Sequence, residues 1–526
     1  MSHGLKADPR TSVVWWGPQP TPAVSESFEA RGLTLNVVAH TDAVPDAQLA
    51  VACGIVLSDD GNSPRFQVNL PAIAHRALCH GLQVVARAAD AQAYARYEAS
   101  IRDWAQTELP TRPKDALALQ RRVTLTSAAS DHDAAESIAR HQSGPTANLE
   151  LEGHAKAGLA AEDELLLRRA FRDCKTIVLQ KLRGGTSGPV FCAHATLAPN
   201  LVGSWPNAFL VKFAARRMIE KEMQNYADRV SGFVPFLNRP NLASGRCLLG
   251  AQRGILVGTY VDRSEKFIDV ARRGDAAVVI NSLFDDALRG WREQSYLLDE
   301  HRQYADVKLQ SIMEAIAKAF GCRAIGLERI SKPRREMAAK LNMSRTPEAI
   351  VADLCALPPS RFRKGPVHGD LRAANVMAFR GTAILIDFYS ARTAPLAWDP
   401  AALEASLLLD RACWPKIGAD TPTFEQQCAG WDGVVLKLVQ PDYLTAPPPP
   451  ASRLQRLVWL WGAVRHVRMH ALSSVSHPDE YRIALAIQLL RAAGHEGSSK
   501  DPGEQHRRAM ALVLAEKVAG QIGKTP

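Results

Sequence analysis

Between Ser12 and Ser127 short apolar runs alternate with stretches of helical spacing. The runs are SVVWW (Ser12–Trp16), LTLNVVA (Leu33–Ala39), VACGIVL (Val51–Leu57), LQVVARA (Leu82–Ala88) and RVTLTS (Arg122–Ser127). Between them SESFEAR, PAIAHRALCH and AYARYEASIRDWAQ place apolar residues three and four apart. Strands that alternate with helices predict a parallel sheet covered on both faces. Residues 1–126 therefore read as a small α/β domain of the flavodoxin-like kind. The layout is also that of a degenerate receiver-like domain, with Asp59 and Asp60 after the third strand. No acidic pair follows the first strand and no lysine ends the fifth, so Asp59 and Asp60 read as turn residues before Gly61 and Asn62.

Residues 127–160 are rich in Ser, Ala, Asp, His and Gly and read as a linker with room for a short helix. The amphipathic stretch AEDELLLRRAFRDC (Ala161–Cys174) opens a second domain. Its first strands, TIVLQKL and PVFCAHATL, flank a turn of Gly184, Gly185, Thr186, Ser187 and Gly188. Glycines let backbone N–H groups approach an anion closely, and the two hydroxyls add donors. Next comes NAFLVKFA, where Lys212 interrupts an apolar strand and must snorkel out or meet a buried anion. In the following helix Ile219, Met223, Tyr226 and Val230 form one stripe with Glu222 at its edge. There a carboxylate can orient Lys212 toward the phosphates of a nucleotide. GRCLLGAQ and GILVGTYVD read as a hairpin that ends this lobe near residue 262, where an adenine has a place to lie. Residues 263–526 read as mostly helical, with a stiff proline-rich connector, LTAPPPPAS, before two long helices around Arg453–Leu472 and Asp479–Ala493.

A length of 526 residues exceeds what one core supports. The chain is 46% hydrophobic and 22% charged, ordinary for a globular protein, and its longest apolar runs fall far short of the roughly 20 residues that cross a bilayer. The N-terminus lacks the apolar core of a signal peptide, and nine scattered cysteines without a CxxC pair indicate neither a disulfide framework nor a zinc site. A reducing cytoplasm is the expected compartment. The net charge of +10 comes mostly from scattered arginines without interleaved aromatics, so no nucleic-acid partner is expected.

One stretch carries chemistry. In GPVHGDLRAANVMAFRGTAILIDF, His368, Asp370, Asn375 and Asp387 bracket two apolar runs joined by a short RGT turn. Phosphoryl transfer needs a carboxylate to orient the attacking hydroxyl and take its proton, and hard oxygen ligands for the magnesium that neutralises the triphosphate. Asp370 suits the first role, and Asn375 and Asp387 suit the second. A hairpin brings Asn375 and Asp387 to the same end, because antiparallel strands start and finish side by side. His368 reads as a brace for the loop.

HGDLRAANV followed by ILIDF resembles the catalytic and metal-binding segment of the aminoglycoside phosphotransferase and choline kinase branch of the protein-kinase-like fold. The resemblance covers about residues 165–500. It implies an α+β bilobal domain with a helical C-lobe, ATP and Mg2+ as cofactors, Asp370 as catalytic base with His368 beside it, and Asn375 and Asp387 as metal ligands. It further implies Lys212 on the nucleotide phosphates with Glu222 as ion-pair partner. The segment PLAWDPAALEASLLL is also similar, with Asp399 as a helix cap or loop brace. The arrangement is similar as well to the bacterial ternary complex-associated phosphotransferase-like domains. The glycine usual after Phe388 in protein kinases is replaced by Tyr389 and Ser390, and the glycine-rich turn is not GxGxxG.

The expected activity is phosphotransfer from ATP to a hydroxyl, on a small molecule or a protein, with residues 1–126 docking a protein partner. A nucleotide-gated adaptor is the alternative, and nucleotidyl transfer a third. Asp399, Glu404 and Asp410 together with Arg392, Arg411 and Lys416 leave the charge of the acceptor open.

Overall fold

The computed structural model describes residues 12–39, 43–59, 64–108, 119, 122–127, 131–140, 145, 146, 148–154, 159–182, 188–197, 207–261, 263–294, 313, 314, 316–322, 325–411, 458–495 and 502–524. The turn residues Gly184, Gly185, Thr186 and Ser187, the residues Asp60 to Asn62, Lys416 and the proline-rich connector lie outside them. The chain forms two compact units. The first comprises residues 1–228 and 240–262, and the second comprises 229–239 and 263–526.

The first unit opens with β1 (Ser12–Trp16), α1 (Pro22–Glu29), β2 (Thr34–Val38), α2 (Asp46–Val51), β3 (Gly54–Ser58), α3 (Pro64–Cys79), β4 (Gln83–Ala88), α4 (Ala91–Glu108) and β5 (Val123–Ser127). The five strands pair in parallel in the order β2-β1-β3-β4-β5. Successive side chains of a strand face opposite ways. Val13 and Trp15 accordingly enter one core with Phe28 of α1, while Val14 and Trp16 enter another with Phe66 of α3 and Tyr97 of α4. The first core is completed by α5 (Asp131–Arg140), whose Ala134, Ala135 and Ile138 pack there. The segment expected as linker thus contributes a helix to this layer. Asp59, expected as a turn residue, is buried just after β3, and the Tyr97 hydroxyl donates to its Oδ2 at 3.1 Å.

A second sheet follows in the same unit. It is built of β6 (Glu150–Gly153), β7 (Cys174–Lys181), β8 (Val190–Leu197), β9 (Asn207–Ala215), β10 (Leu248–Leu249) and β11 (Arg253–Thr259), in the order β10-β11-β9-β8-β7-β6. All pairs are antiparallel except β6 with β7. The helix α6 (Ala161–Ala170) precedes β7, and α7 (Arg216–Asn225) follows β9.

The second unit carries a three-stranded sheet, β12 (Glu265–Lys266), β13 (Val376–Phe379) and β14 (Thr382–Leu385). The turn between the last two has Arg380 at φ 50° and Gly381 at φ 83°, the two left-handed residues of a tight hairpin turn. The same unit carries α8 (Trp398–Leu408), α9 (Val458–Ser474), α10 (Pro478–Gly494) and α11 (Pro502–Ala519), of which α8 packs on α9 and α10, and α10 on α11. Glu404 of α8 is fully buried. It receives Arg468 Nε at 2.9 Å and Nη2 at 2.5 Å, together with the Tyr481 hydroxyl, and so ties α8, α9 and α10 into one polar knot. No described helix is long and apolar enough to cross a membrane.

Candidate active site

The HGD loop leaves a short strand, Lys364–Val367, that pairs antiparallel with Arg392–Pro395. Gly369 lies at φ 79°, and a Cβ there would stand 2.2 Å from the Ser390 carbonyl oxygen, so only glycine fits this turn. Asp399, the second residue of α8, receives the His368 N–H on Oδ2 at 2.6 Å and the Gly369 N–H on Oδ1 at 2.9 Å. Its side chain makes no helix-cap hydrogen bond, and of the two expected roles it takes that of loop brace. Burial pushes its carboxyl above the usual range, against the pull of the two N–H groups. The Trp398 indole N–H adds a bond to the Gly369 carbonyl at 3.1 Å.

His368 is fully buried, and its Nε2 meets the Ile386 carbonyl at 2.9 Å. It ties the loop to the end of β14. Asn375 ends a short turn whose N–H bonds the Arg372 carbonyl at 2.8 Å. Its Nδ2 donates to the Asp370 carbonyl at 2.7 Å. With the amide nitrogen held this way, Oδ1 is the atom left for a cation. The register pairs Val376 with Leu385, and the Ile386 N–H bonds the Asn375 carbonyl at 3.0 Å. Asp387 therefore follows directly beside Asn375, at the same hairpin end. It holds a left-handed backbone, φ 66° and ψ 71°, a conformation that persists where surroundings over-determine it and that clusters at functional sites.

The Asp370 carboxylate is half-exposed. Arg372 Nη2 holds its Oδ2 at 2.8 Å, so Oδ1 is the oxygen outside that ion pair. Further cations gather here. The guanidinium groups of Arg392 and Arg491 lie over the Trp398 ring at 4.7 and 5.3 Å. Loss of water lowers the pKa of both; the charges of Asp399 and then Asp370 oppose the shift at Arg392, while at Arg491 Arg392 adds to it and Asp370 opposes it. Burial, with Arg508 and Arg372 nearby, also holds the His495 imidazole below its usual range. The acids expected to line an acceptor pocket are spent elsewhere: Asp399 on the loop, Glu404 in the buried knot, and Asp410 on Arg272 at 2.6 Å.

In the first unit, Lys212 on β9 and Glu222 on α7 are both buried and form an ion pair of 2.8 Å. Of the glycine-rich turn, Gly188 is described. At φ 152° its missing Cβ would lie 2.0 Å from the Phe213 carbonyl oxygen, so Gly188 itself lies close against β9 next to Lys212.

No cluster of three or more His, Cys, Asp or Glu side chains suited to a metal occurs among the described residues. The donor set of Asn375 and Asp387 fits magnesium nonetheless, because that ion takes one or two protein oxygens and completes its shell with substrate phosphates and water.

Residues 280–432 match the family model described as the phosphotransferase enzyme family. No curated protein matches the sequence. Among solved structures, an amicoumacin kinase in complex with AMP-PNP, Ca2+ and Ami is similar at 12% identity and a TM-score of 0.37, over 70% of this chain and 96% of that one. A choline kinase from Cryptosporidium parvum is similar at 10% identity and a TM-score of 0.34, over 66% and 90%. A glucosamine kinase in complex with glucosamine and ADP is similar at 15% identity and a TM-score of 0.31, over 67% and 82%. Likenesses this loose do not define a function. The matched segment contains His368, Asp370, Asn375 and Asp387, so over residues 280–432 the chain is similar to the phosphotransferase enzyme family.

Proposed function

We propose that this protein is an ATP- and magnesium-dependent phosphotransferase that moves the γ-phosphoryl group of ATP to the hydroxyl of a small molecule bearing negative charge. The observation that carries this reading is the locking of the Asn375 amide onto the Asp370 carbonyl, with Asp387 at the same hairpin end. Asp370 Oδ1 orients the acceptor hydroxyl and takes its proton as the oxygen bonds to phosphorus and the bond to the leaving ADP breaks. Asn375 and Asp387 hold magnesium, which neutralises charge on the phosphates. Lys212, fixed by Glu222, binds the nucleotide phosphates. His368 and Asp399 keep the loop in place.

The charge on the acceptor is inferred from Arg372, which pairs with the Asp370 carboxylate, and from Arg392 and Arg491 over Trp398, whose charges feel that carboxylate. We read residues 161–262 as the kinase-like N-lobe and 263–526 as the C-lobe. Residues 1–126, extended by α5, form a flavodoxin-like docking or regulatory module, in keeping with the order β2-β1-β3-β4-β5.

The test is transfer of label from γ-labelled ATP with magnesium into pools of anionic and cationic hydroxyl metabolites and proteins, beside Asp370→Ala and Asp387→Ala. Transfer to anionic metabolites, abolished by either substitution, supports the reading. ATP binding with no transfer to any acceptor replaces it with a nucleotide-gated adaptor.

A further inference from the structure

The first unit holds a cavity of ≈ 320 Å³ well apart in sequence from the HGD segment, and arginines dominate its polar lining. Arg169 and Arg172 come from the end of α6 and the turn into β7, Arg246 from the turn before β10, and Arg122 from the start of β5. Asp173 is the one carboxylate among the described residues that line it. It is committed to Arg246, which meets both its oxygens at 2.7 and 2.6 Å and also donates to the Ala170 carbonyl at 2.6 Å. Phe171 and Phe209 lie under the same guanidinium at 5.0 and 5.5 Å, so Arg246 is held rigidly.

Arg169 is 4% exposed and has no carboxylate partner. Its Nη atoms donate to the carbonyls of His80 at 2.7 Å, Ala52 at 2.6 Å and Leu49 at 3.4 Å, and its buried Nε has no hydrogen-bond partner. Carbonyls at helix ends offset part of its charge and leave the rest uncompensated. Burial pushes its pKa down to about 10. That of Arg172 is also lowered, by burial and then by Arg122 and Arg246 against the pull of Asp173, so these cations repel one another.

We propose that this cavity binds a small phosphate-bearing anion, held by Arg122, Arg169 and Arg172 with Arg246 as a fixed wall. Planar guanidiniums are matched to phosphate oxygens, and several converging on one cavity suit a dianion better than a single carboxylate. The volume lies near the lower end of the roughly 300–1,000 Å³ of ligand pockets, enough for a phosphate with a small organic group. The residues come from both sheets of the first unit, so a bound anion joins the α/β domain to the sheet that carries Lys212.

The experiment is titration calorimetry on the full chain without divalent cations, with inorganic pyrophosphate and ribose 5-phosphate as probes. The expected result is a saturable site for at least one probe, weakened about tenfold or more by Arg172→Gln and further by adding Arg122→Gln, since each removes a charged hydrogen bond. Both side chains lie at exposed positions, so the variants fold. Binding must survive Asp387→Ala, which separates this site from the proposed metal site. Binding of both probes identifies the phosphate as sufficient, and binding of ribose 5-phosphate alone identifies an organic monoester. No heat at millimolar concentrations of either probe, wild-type binding by the double variant, or loss of binding in Asp387→Ala overturns the proposal.

Discussion

Replacing Asp399 with Asn tests how the HGD loop is held. The carboxylate accepts the His368 and Gly369 N–H groups at 2.6 and 2.9 Å from a fully enclosed position. Asn has the same shape but one acceptor, so its amide nitrogen must face one of the two donors. A hydrogen bond to a charged group contributes about 1.5–3 kcal/mol, and a buried donor left unmatched costs about 1–3 kcal/mol more. Removing a carboxylate whose ionised form is disfavoured by burial returns part of this, leaving a net local cost of about 2 kcal/mol. That is roughly a thirtyfold increase in opening of the loop. Hydrogen exchange of the peptide spanning residues 365–372 reads it directly, and a multidomain chain makes a single unfolding midpoint a poor substitute. The exchange of β3 serves as internal control. The substitution also removes a pH dependence. The folded state binds the Asp399 proton more tightly than the unfolded chain, so its contribution to stability falls as pH rises above the ordinary 3.8. Unchanged protection of His368 and Gly369 in Asp399→Asn refutes the account of Asp399 as the brace.

Asp370→Ala is expected to lower phosphotransfer by about 10²–10⁴, the usual share of a general base, with ATP binding retained, as a rate assay beside a nucleotide-binding assay shows. Glu404→Leu strands a buried Arg468 and is expected to cost about 3–5 kcal/mol in urea unfolding of the second unit, whereas Glu404→Leu combined with Arg468→Met recovers most of the loss. Equal instability in the single and double variants counts against the ion pair as the cause. In the first unit His80 is fully buried against Asp46 and Arg216, and burial lowers its pKa from 6.5. The unfolded chain therefore binds the proton more readily, and this contribution to stability is lost as pH falls below 6.5. The Asp46 carboxyl, lowered chiefly by its hydrogen bond to His80, adds to acid lability at still lower pH. A pH series of unfolding with His80→Gln is expected to flatten the slope just below 6.5.

What the sequence revealed was local. The apolar runs around Arg380 and Gly381 dictated a hairpin, and a hairpin has one geometry, so the meeting of Asn375 with Asp387 could be read directly. Lys212 inside an apolar strand needed an anion, and Glu222 was the acid on the next helix. Burial at distant partners was not legible. Glu404 meets Arg468 across 64 residues, and nothing around either one marks them as a pair. The short helix allowed within residues 127–160 forms at Asp131–Arg140, but its buried face of Ala134, Ala135 and Ile138 in a polar setting is too weak a stripe to show that it joins the core. Asp59 looked like a turn residue for want of any sign that Tyr97 of α4 reaches it.

That long-range pairing decides the charge of the site. Three acids after Asp387 once balanced the arginines, on paper, and left the acceptor open. In the fold each acid has a task set by packing: Asp399 must take two N–H groups, Glu404 must neutralise Arg468, and Asp410 meets Arg272. Moving any of them to a substrate would leave a donor or a cation unmatched, a cost larger than one surface contact repays. The arginines are not consumed in this way. Arg392 and Arg491 rest on the face of Trp398, which contributes a weak attraction and accepts no hydrogen bond in exchange. Their N–H groups stay open to a ligand, while Arg372 already holds one oxygen of Asp370. A cationic acceptor approaching Asp370 Oδ1 meets like charge on this side, and an anionic one meets donors whose solvation has already been partly removed by the fold.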